Sequence, residues 1–321
     1  MRALITGIAG FAGSHLAEYL LEHTDWEVWG TIRSSGGHVA HLHSQLTLRK
    51  VDLMDAAALK EFCAEMQPDY IFHLAAQSFV PKSWEDPWAT LENNIRAQLN
   101  ILEAAVRLDP MPRVLVIGSA DEYGLVHPGE LPIRETNPLR PSSPYAVSKV
   151  AQDLLGYQYA VSYKLPAIRV RPFNHLGPRQ SDAFVASSFA RQIAEAELGQ
   201  REPVVRVGNL SAKRDFSDVR DIVRGYYLAI TMGEPGEVYN LGSERSHSIQ
   251  ELLTILQSLS TVAVRIEQDP ARMRPSEVPE LLSDCSKFRA LTGWQTQIPF
   301  ERTLADVLDD WRTKVRRQHN Q

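Results

Sequence analysis

Along the first half of the chain, short runs of branched apolar residues alternate with longer stretches whose apolar positions recur every three or four residues. The runs 2–6, 26–32, 46–51, 70–74, 114–118 and 168–172 have the length and composition of strands. Helical spacing fills 13–22, 55–66, 88–108 and 144–163 between them. Strand–helix repetition of this kind requires a parallel sheet with helices on both faces, because each connection must cross back over the sheet. The predicted fold class is therefore α/β: a Rossmann doubly wound parallel sheet with a smaller C-terminal α/β substrate-binding domain. After about Pro172 the rhythm loosens, with helices at 184–198 and 249–259 separated by proline- and glycine-rich stretches.

The first strand runs into Thr6-Gly7-Ile8-Ala9-Gly10-Phe11-Ala12-Gly13, followed by helical spacing. In that context Gly7 permits a tight turn, Gly10 lets backbone approach a pyrophosphate, and Gly13 lets the helix pack on the strand. The N–H groups around Phe11 and Ala12 then favour the negative charge. An NAD site carries an acid about twenty residues on, whereas the second strand here ends in Thr31-Ile32-Arg33-Ser34. Arg33 can face a 2′-phosphate, so NADP(H) is the preferred cofactor, with NAD(H) possible. Asp52, followed by Leu53, ends the third strand, where a carboxylate can accept a hydrogen bond from an adenine amine or cap a helix. The predicted division is a NADP-binding domain over 1–172 with a returning segment at about 214–241, and a substrate-binding domain over 173–213 and 242–321.

Tyr145 and Lys149 lie four apart in Ser142-Ser143-Pro144-Tyr145-Ala146-Val147-Ser148-Lys149, on one face of a predicted helix. Ser119 follows the strand 114–118. Reducing a ketone requires a hydride donor and a proton donor, and Tyr145 can serve as the latter, with Lys149 expected to lower its pKa. Ser119 is placed to hydrogen-bond the substrate oxygen. It is not in a Gly-x-Ser-x-Gly elbow, so it does not read as a nucleophile.

Composition narrows the partners. With 321 residues, 44% hydrophobic and 23% charged, the chain can bury a large core. A net charge of -5 without basic blocks argues against nucleic acid. Two distant cysteines, Cys63 and Cys285, and the absence of membrane-length apolar runs point to a cytoplasmic protein away from membranes. His38, His41 and His43 fall in a polar loop, and no metal site is expected.

These motifs, together with His73-Leu74-Ala75-Ala76-Gln77-Ser78, Arg171-Pro172-Phe173-Asn174-His175, Val207-Gly208-Asn209, Arg214-Asp215-Phe216, Val219-Arg220-Asp221 and Arg274-Pro275-Ser276-Glu277-Val278-Pro279, resemble the GDP-mannose branch of the extended short-chain dehydrogenases/reductases. The resemblance implies that Leu74, Ala75, Ala76 and Gln77 border the cofactor and that Ser78, Asn174 and Asn209 reach the sugar nucleotide. Arg214 and Arg274 would neutralise a diphosphate, and Glu277 would hold the nucleotide end. It implies a GDP-sugar substrate and NAD(P)H-dependent reduction of the C4 keto group of GDP-4-keto-6-deoxy-D-mannose to GDP-D-rhamnose.

The alternative within the branch is 4,6-dehydration of GDP-mannose, or another nucleotide-sugar dehydratase or epimerase. Dehydratases resemble this chain less at two places. Their Thr-x-Glu is here Ser119-Ala120-Asp121, a shorter acid, followed by Glu122; Asp121 is the candidate acid, and Glu122 could also serve as a base. Their Arg-Lys pair is here Ser187-Ser188. Related enzymes dimerise through the two helices at 88–108 and 144–163, so Ile95, Leu99, Leu102, Leu154, Leu155, Tyr157 and Tyr159 are candidates for a homodimer face.

Overall fold

A computed structural model describes residues 1–34, 36–272 and 278–319. In the N-terminal part, strands β1 (Arg2–Thr6), β2 (Glu27–Ile32), β3 (Thr47–Lys50), β4 (Tyr70–His73), β5 (Arg113–Ile117) and β6 (Ala167–Pro172) fall within a residue or two of the apolar runs. Between them lie α1 (Phe11–His23), α2 (Ala56–Met66), the short α3 (Val80–Glu85), α4 (Pro87–Ala105) and α5 (Pro144–Tyr163). The C-terminal part contributes β7 (Asn174–Leu176), α6 (Val185–Glu197), β8 (Val204–Val207), β9 (Lys213–Asp218) and α7 (Val219–Met232). It continues through β10 (Val238–Leu241), β11 (Ser246–Ser248), α8 (Ile249–Leu259), β12 (Arg265–Gln268), α9 (Ser286–Thr292) and α10 (Phe300–His319).

Seven parallel strands form the main sheet in the order β10-β6-β5-β4-β1-β2-β3. The chain leaves β1 toward β2 and β3, then returns to place β4 on the other side of β1. This creates the crevice at the carboxyl ends where doubly wound sheets bind ligands. Strand alternation distributes the core. Ala3 and Ile5 face α1 and α7 with Leu16, Leu20, Phe72, Ile222 and Tyr226. Leu4 faces α2, α4 and α5 with Leu59, Phe62, Ile101 and Tyr159.

A third core, built wholly from residues after Pro172, joins α6, α8 and α10 through Phe189, Ile193, Leu252, Leu256, Leu304, Leu308 and Trp311. The C-terminal region also returns to the large sheet, where Phe288 and Trp294 pack with Tyr239 of β10. Of the residues expected on a second face of α4 and α5, Leu102 and Tyr159 are buried in their own chain's core, which corrects that expectation for these two. Leu99, Leu154 and Tyr157 are exposed.

Candidate active site

Gly7 adopts φ +71°, a left-handed conformation open to glycine, and a Cβ there would lie 3.0 Å from the Ala75 Cα. The turn after β1 is thus pressed against the chain leaving β4. A Cβ on Gly13 would collide with the Gly7 carbonyl, so α1 starts flush against the turn. Gly10 is exposed, donates its N–H to Gly7 O at 2.9 Å and has only that oxygen near its missing side chain. The N-cap of α1 is Gly10, and among the described residues no side chain caps the helix. The first N–H groups of the helix, those of Phe11, Ala12 and Gly13, therefore lie at an uncapped terminus suited to an anion.

The ends of β1 and β4 are tied together. Thr6 Oγ1 lies 2.8 Å from His73 Nδ1 and accepts the Ala75 N–H at 3.2 Å. Burial, reinforced by the Lys149 charge, pushes His73 down to about 3, so the imidazole is neutral. Beyond it Leu74, Ala75, Ala76 and Gln77 are half-buried and Ser78 is exposed.

Asn94 of α4 fixes this segment. It accepts the Gln77 N–H at 2.8 Å and donates to Gln77 O at 3.0 Å and to Ser148 Oγ at 2.9 Å. Ser148 in turn donates to Tyr145 O at 2.7 Å. Sequence reasoning missed Asn94, although a polar residue at a core-facing position of an amphipathic helix was a usable signal.

Pro144 opens α5, with Ser143 Oγ accepting the Ala146 N–H at 3.1 Å. The helix buries Tyr145 and Lys149 on one face, one turn apart. Lys149 Nζ donates to Ile117 O at the end of β5 at 2.9 Å and stands 5.9 Å from the Tyr145 ring centre. Ser119, two residues beyond Ile117, has its hydroxyl within hydrogen-bonding reach of the Tyr145 phenol.

The expected lowering of the Tyr145 pKa is corrected. Burial raises it above the usual phenol value, the charges of Asp121 and Glu122 add to this, and the Ser119 hydrogen bond opposes it. The Lys149 ammonium is directed to the Ile117 carbonyl, so desolvation dominates at the phenol. A phenol held protonated is a proton donor, the form that ketone reduction requires. Burial lowers Lys149 to about 8, with Glu122 opposing.

Glu122 is fully buried. Its Oε1 accepts the Ser119 N–H at 2.8 Å, and its Oε2 lies 3.1 Å from Arg171 Nε. Asp121 is half-buried and its N–H donates to Ser119 Oγ at 3.1 Å. Ser119, Asp121, Tyr145 and Lys149 are therefore brought together at the carboxyl edge, beside the glycine turn.

The remaining candidates lie farther out. Arg33, at the end of β2, is exposed and donates to Asn93 Oδ1 at 2.8 Å. Asp52 is exposed and accepts the Met54 N–H at 2.9 Å, while Leu53 is buried with its carbonyl bound by Asn100. Asn174 is exposed at the start of β7. The Asn209 side chain accepts from Ser211, and Arg214 of β9 donates to Lys213 O at 2.7 Å. Arg274 and Glu277 lie outside the described residues. Ser187 is buried, and Ser188 Oγ accepts from Arg272 at 3.0 Å. His41 is paired with Glu18, and among the described residues no three His, Cys, Asp or Glu are grouped to hold a metal ion.

The family model described as GDP-mannose 4,6 dehydratase matches residues 4–307. The chain is 36% identical to the GDP-6-deoxy-D-mannose reductase of Pseudomonas aeruginosa, over 99% of both proteins. It is 32% identical to GDP-mannose 4,6 dehydratase 1 of Arabidopsis thaliana, over 96% of this chain and 89% of the relative. Among solved structures it is similar to RMD from Pseudomonas aeruginosa complexed with NADPH, with a TM-score of 0.85, 35% identity and coverage of 98% and 99% of the two chains.

Proposed function

The chain belongs to the GDP-mannose 4,6-dehydratase family, and from that premise we propose that it reduces the C4 keto group of GDP-4-keto-6-deoxy-D-mannose to GDP-D-rhamnose. The observation that carries this reading is the end-to-end similarity to a GDP-6-deoxy-D-mannose reductase. The shorter acid Asp121 and the uncharged Ser187 and Ser188, in place of the dehydratase side chains, support it. Dehydration of GDP-mannose remains the second reading, favoured by Asp121 lying close enough to Tyr145 for its charge to act on the phenol.

The glycine cradle fits a dinucleotide: Gly10 leaves its outer side open next to an uncapped helix terminus. Phe11, Ala12 and Gly13 would hold the pyrophosphate, Leu53, Leu74, Ala75, Ala76 and Gln77 would flank the rings, and Asp52 would meet the adenine. Arg33 would favour NADP(H) over NAD(H). The reduced nicotinamide supplies hydride when bound. Tyr145 gives its proton to O4, Ser119 hydrogen-bonds the same oxygen, and Lys149 holds ribose hydroxyls. Ser78, Asn174, Asn209, Arg214, Arg274 and Glu277 would hold the GDP-sugar.

In this reading residues 1–172 with about 214–241 bind the cofactor, and 173–213 with 242–321 bind the sugar nucleotide. The two cysteines are free and buried, which supports a cytoplasmic setting. The exposed apolar face of α4 and α5 supports a homodimer.

The test offers the purified protein GDP-4-keto-6-deoxy-mannose with NADPH and, in parallel, GDP-mannose with NADP, following sugar-nucleotide mass and NADPH absorbance. Stoichiometric NADPH loss with the keto sugar alone is expected. Loss of water from GDP-mannose without net NADPH change would establish the dehydratase instead.

A further inference from the structure

Behind Ser119 lies a cluster of five ionisable side chains, each more than nine-tenths buried: Glu122, Lys149, Asp153, Arg169 and Arg171. Asp153, one turn beyond Lys149 on α5, accepts both guanidiniums of β6 on a single oxygen, at 2.9 Å from Arg169 and 2.7 Å from Arg171. Its other oxygen has no hydrogen-bond partner among the described residues. Both arginines are thereby committed to Asp153, to the Gly236 carbonyl and to Tyr123. Lys149 donates to a neutral carbonyl, that of Ile117.

Glu122 is the acid placed between the arginine pair and the reacting centre. One oxygen takes the Ser119 N–H, and the other faces Arg171 in contact without hydrogen-bond alignment. The carboxylate packs directly on the bare backbone at the end of β5: a Cβ on Gly118 would displace Glu122 Oε1 from its present position. Burying an acid here costs free energy that an apolar side chain would not, so its presence calls for a task.

We propose that Glu122 is a positioning residue that fixes Ser119 through its backbone and keeps Lys149 cationic, setting the upper pH limit for cofactor binding. The inference rests on the assignment of Lys149 to the nicotinamide ribose made above. The groups that act on Glu122 come from α5, which supplies Lys149, Asp153 and Tyr145, from β6, which supplies Arg171, and from its own turn, which supplies Tyr123. Glu135 lies beyond Tyr123, and the neutral His73 at the end of β4 faces Lys149.

The sign of the pH effect follows from these groups. Burial first, and then the Asp153 charge, push Glu122 up to about 8, with Arg171 opposing. Below that pH the carboxyl is neutral. As pH rises it becomes charged and raises the hold of Lys149 on its proton, when burial would otherwise strip it. Two such interacting sites titrate as a pair, so the observable is the alkaline limb of the pair.

Glu122→Gln keeps an oxygen for the Ser119 N–H and removes the ability to ionise. NADPH affinity, read by cofactor fluorescence from pH 6.5 to 9.5, is expected to match the parent within about twofold at pH 6.5. At pH 9 it is expected to be about tenfold weaker, one pH unit of displacement corresponding to a factor of ten.

Lys149→Arg supplies a second, independent reading, because a guanidinium stays charged and the alkaline limb should vanish. An unmoved limb in Glu122→Gln, or a limb that persists in Lys149→Arg, overturns the proposal. These measurements need no sugar. A parent protein that binds NADPH with the expected pH response yet fails to reduce the keto sugar overturns the reductase reading alone; one that binds no NADPH overturns both.

Discussion

At the scale of single residues, the proposed reduction depends on one proton. Burial keeps the Tyr145 phenol protonated, and the Ser119 hydroxyl lies beside it. Tyr145→Phe removes the donor while leaving the Lys149 contact with Ile117 in place. The turnover number for the keto sugar should fall on the order of 10²- to 10⁴-fold, with NADPH affinity unchanged, since the lost interaction belongs to proton transfer. Steady-state kinetics beside a fluorescence titration of NADPH separate the two, and a loss below tenfold would remove Tyr145 as the donor. Ser119, Tyr145 and Lys149 were legible because helix spacing and strand ends place them regardless of partners. Asn94 and Glu122 were not legible in these roles. Asn94 bonds Ser148 from 54 positions away, and Lys149, the other group on which Glu122 acts, lies on a different element, although the Ser119–Glu122 pair itself follows a local Ser-x-x-Glu capping pattern.

At the scale of elements, β1, α5 and α8 match the spacing of apolar positions to the residue. Four helices escaped: the short α3 and α9, and the longer α7 and α10. The sequence of α7 starts inside the motif Val219-Arg220-Asp221 and carries Gly225, both of which weaken a helical reading. In α10 charged residues outnumber the buried ones, yet Leu304, Leu308, Trp311 and Val315 repeat at three and four and carried the signal.

Asp218 joins these two helices. It caps α7 through the Arg220 N–H at 2.8 Å, accepts Thr303 Oγ1 of α10 at 2.8 Å, and holds the Arg220 guanidinium that also reaches Asp306. Asp218→Ala should cost about 2 kcal/mol, combining a lost cap with the lost hydrogen bond from Thr303, whose hydroxyl keeps the Pro299 carbonyl as an acceptor. Asp218→Asn, which retains the cap, should cost less. Urea midpoints of the two variants check the order, and equal midpoints would deny the cap its share.

At the scale of the whole molecule, the helices that position Asn94, Tyr145 and Lys149 also present an apolar outer face. Leu154, Tyr157 and Val161 recur along one side of α5, about half exposed, with Leu99 on α4 and the 70% exposed Trp88 at its start. A stripe of this kind on helices already packed against the sheet is unusual for a monomer surface. A second copy placing its own α4 and α5 there would build a four-helix layer, and a stable interface needs on the order of 1,000 Å² or more. Light scattering should therefore give twice the 36.1 kDa chain mass. The double variant Leu154→Glu with Val161→Glu should give a monomer of unchanged far-UV circular dichroism, because both side chains are about half exposed on the outer side of α5, whereas Tyr157 also packs on Arg169. Since Tyr145, Lys149 and Leu154 share one helix, the monomer should also lose cofactor affinity to the extent that the partner braces α5. A parent protein that runs as a monomer, or a variant that stays dimeric, would move the interface elsewhere and leave this face without its partner.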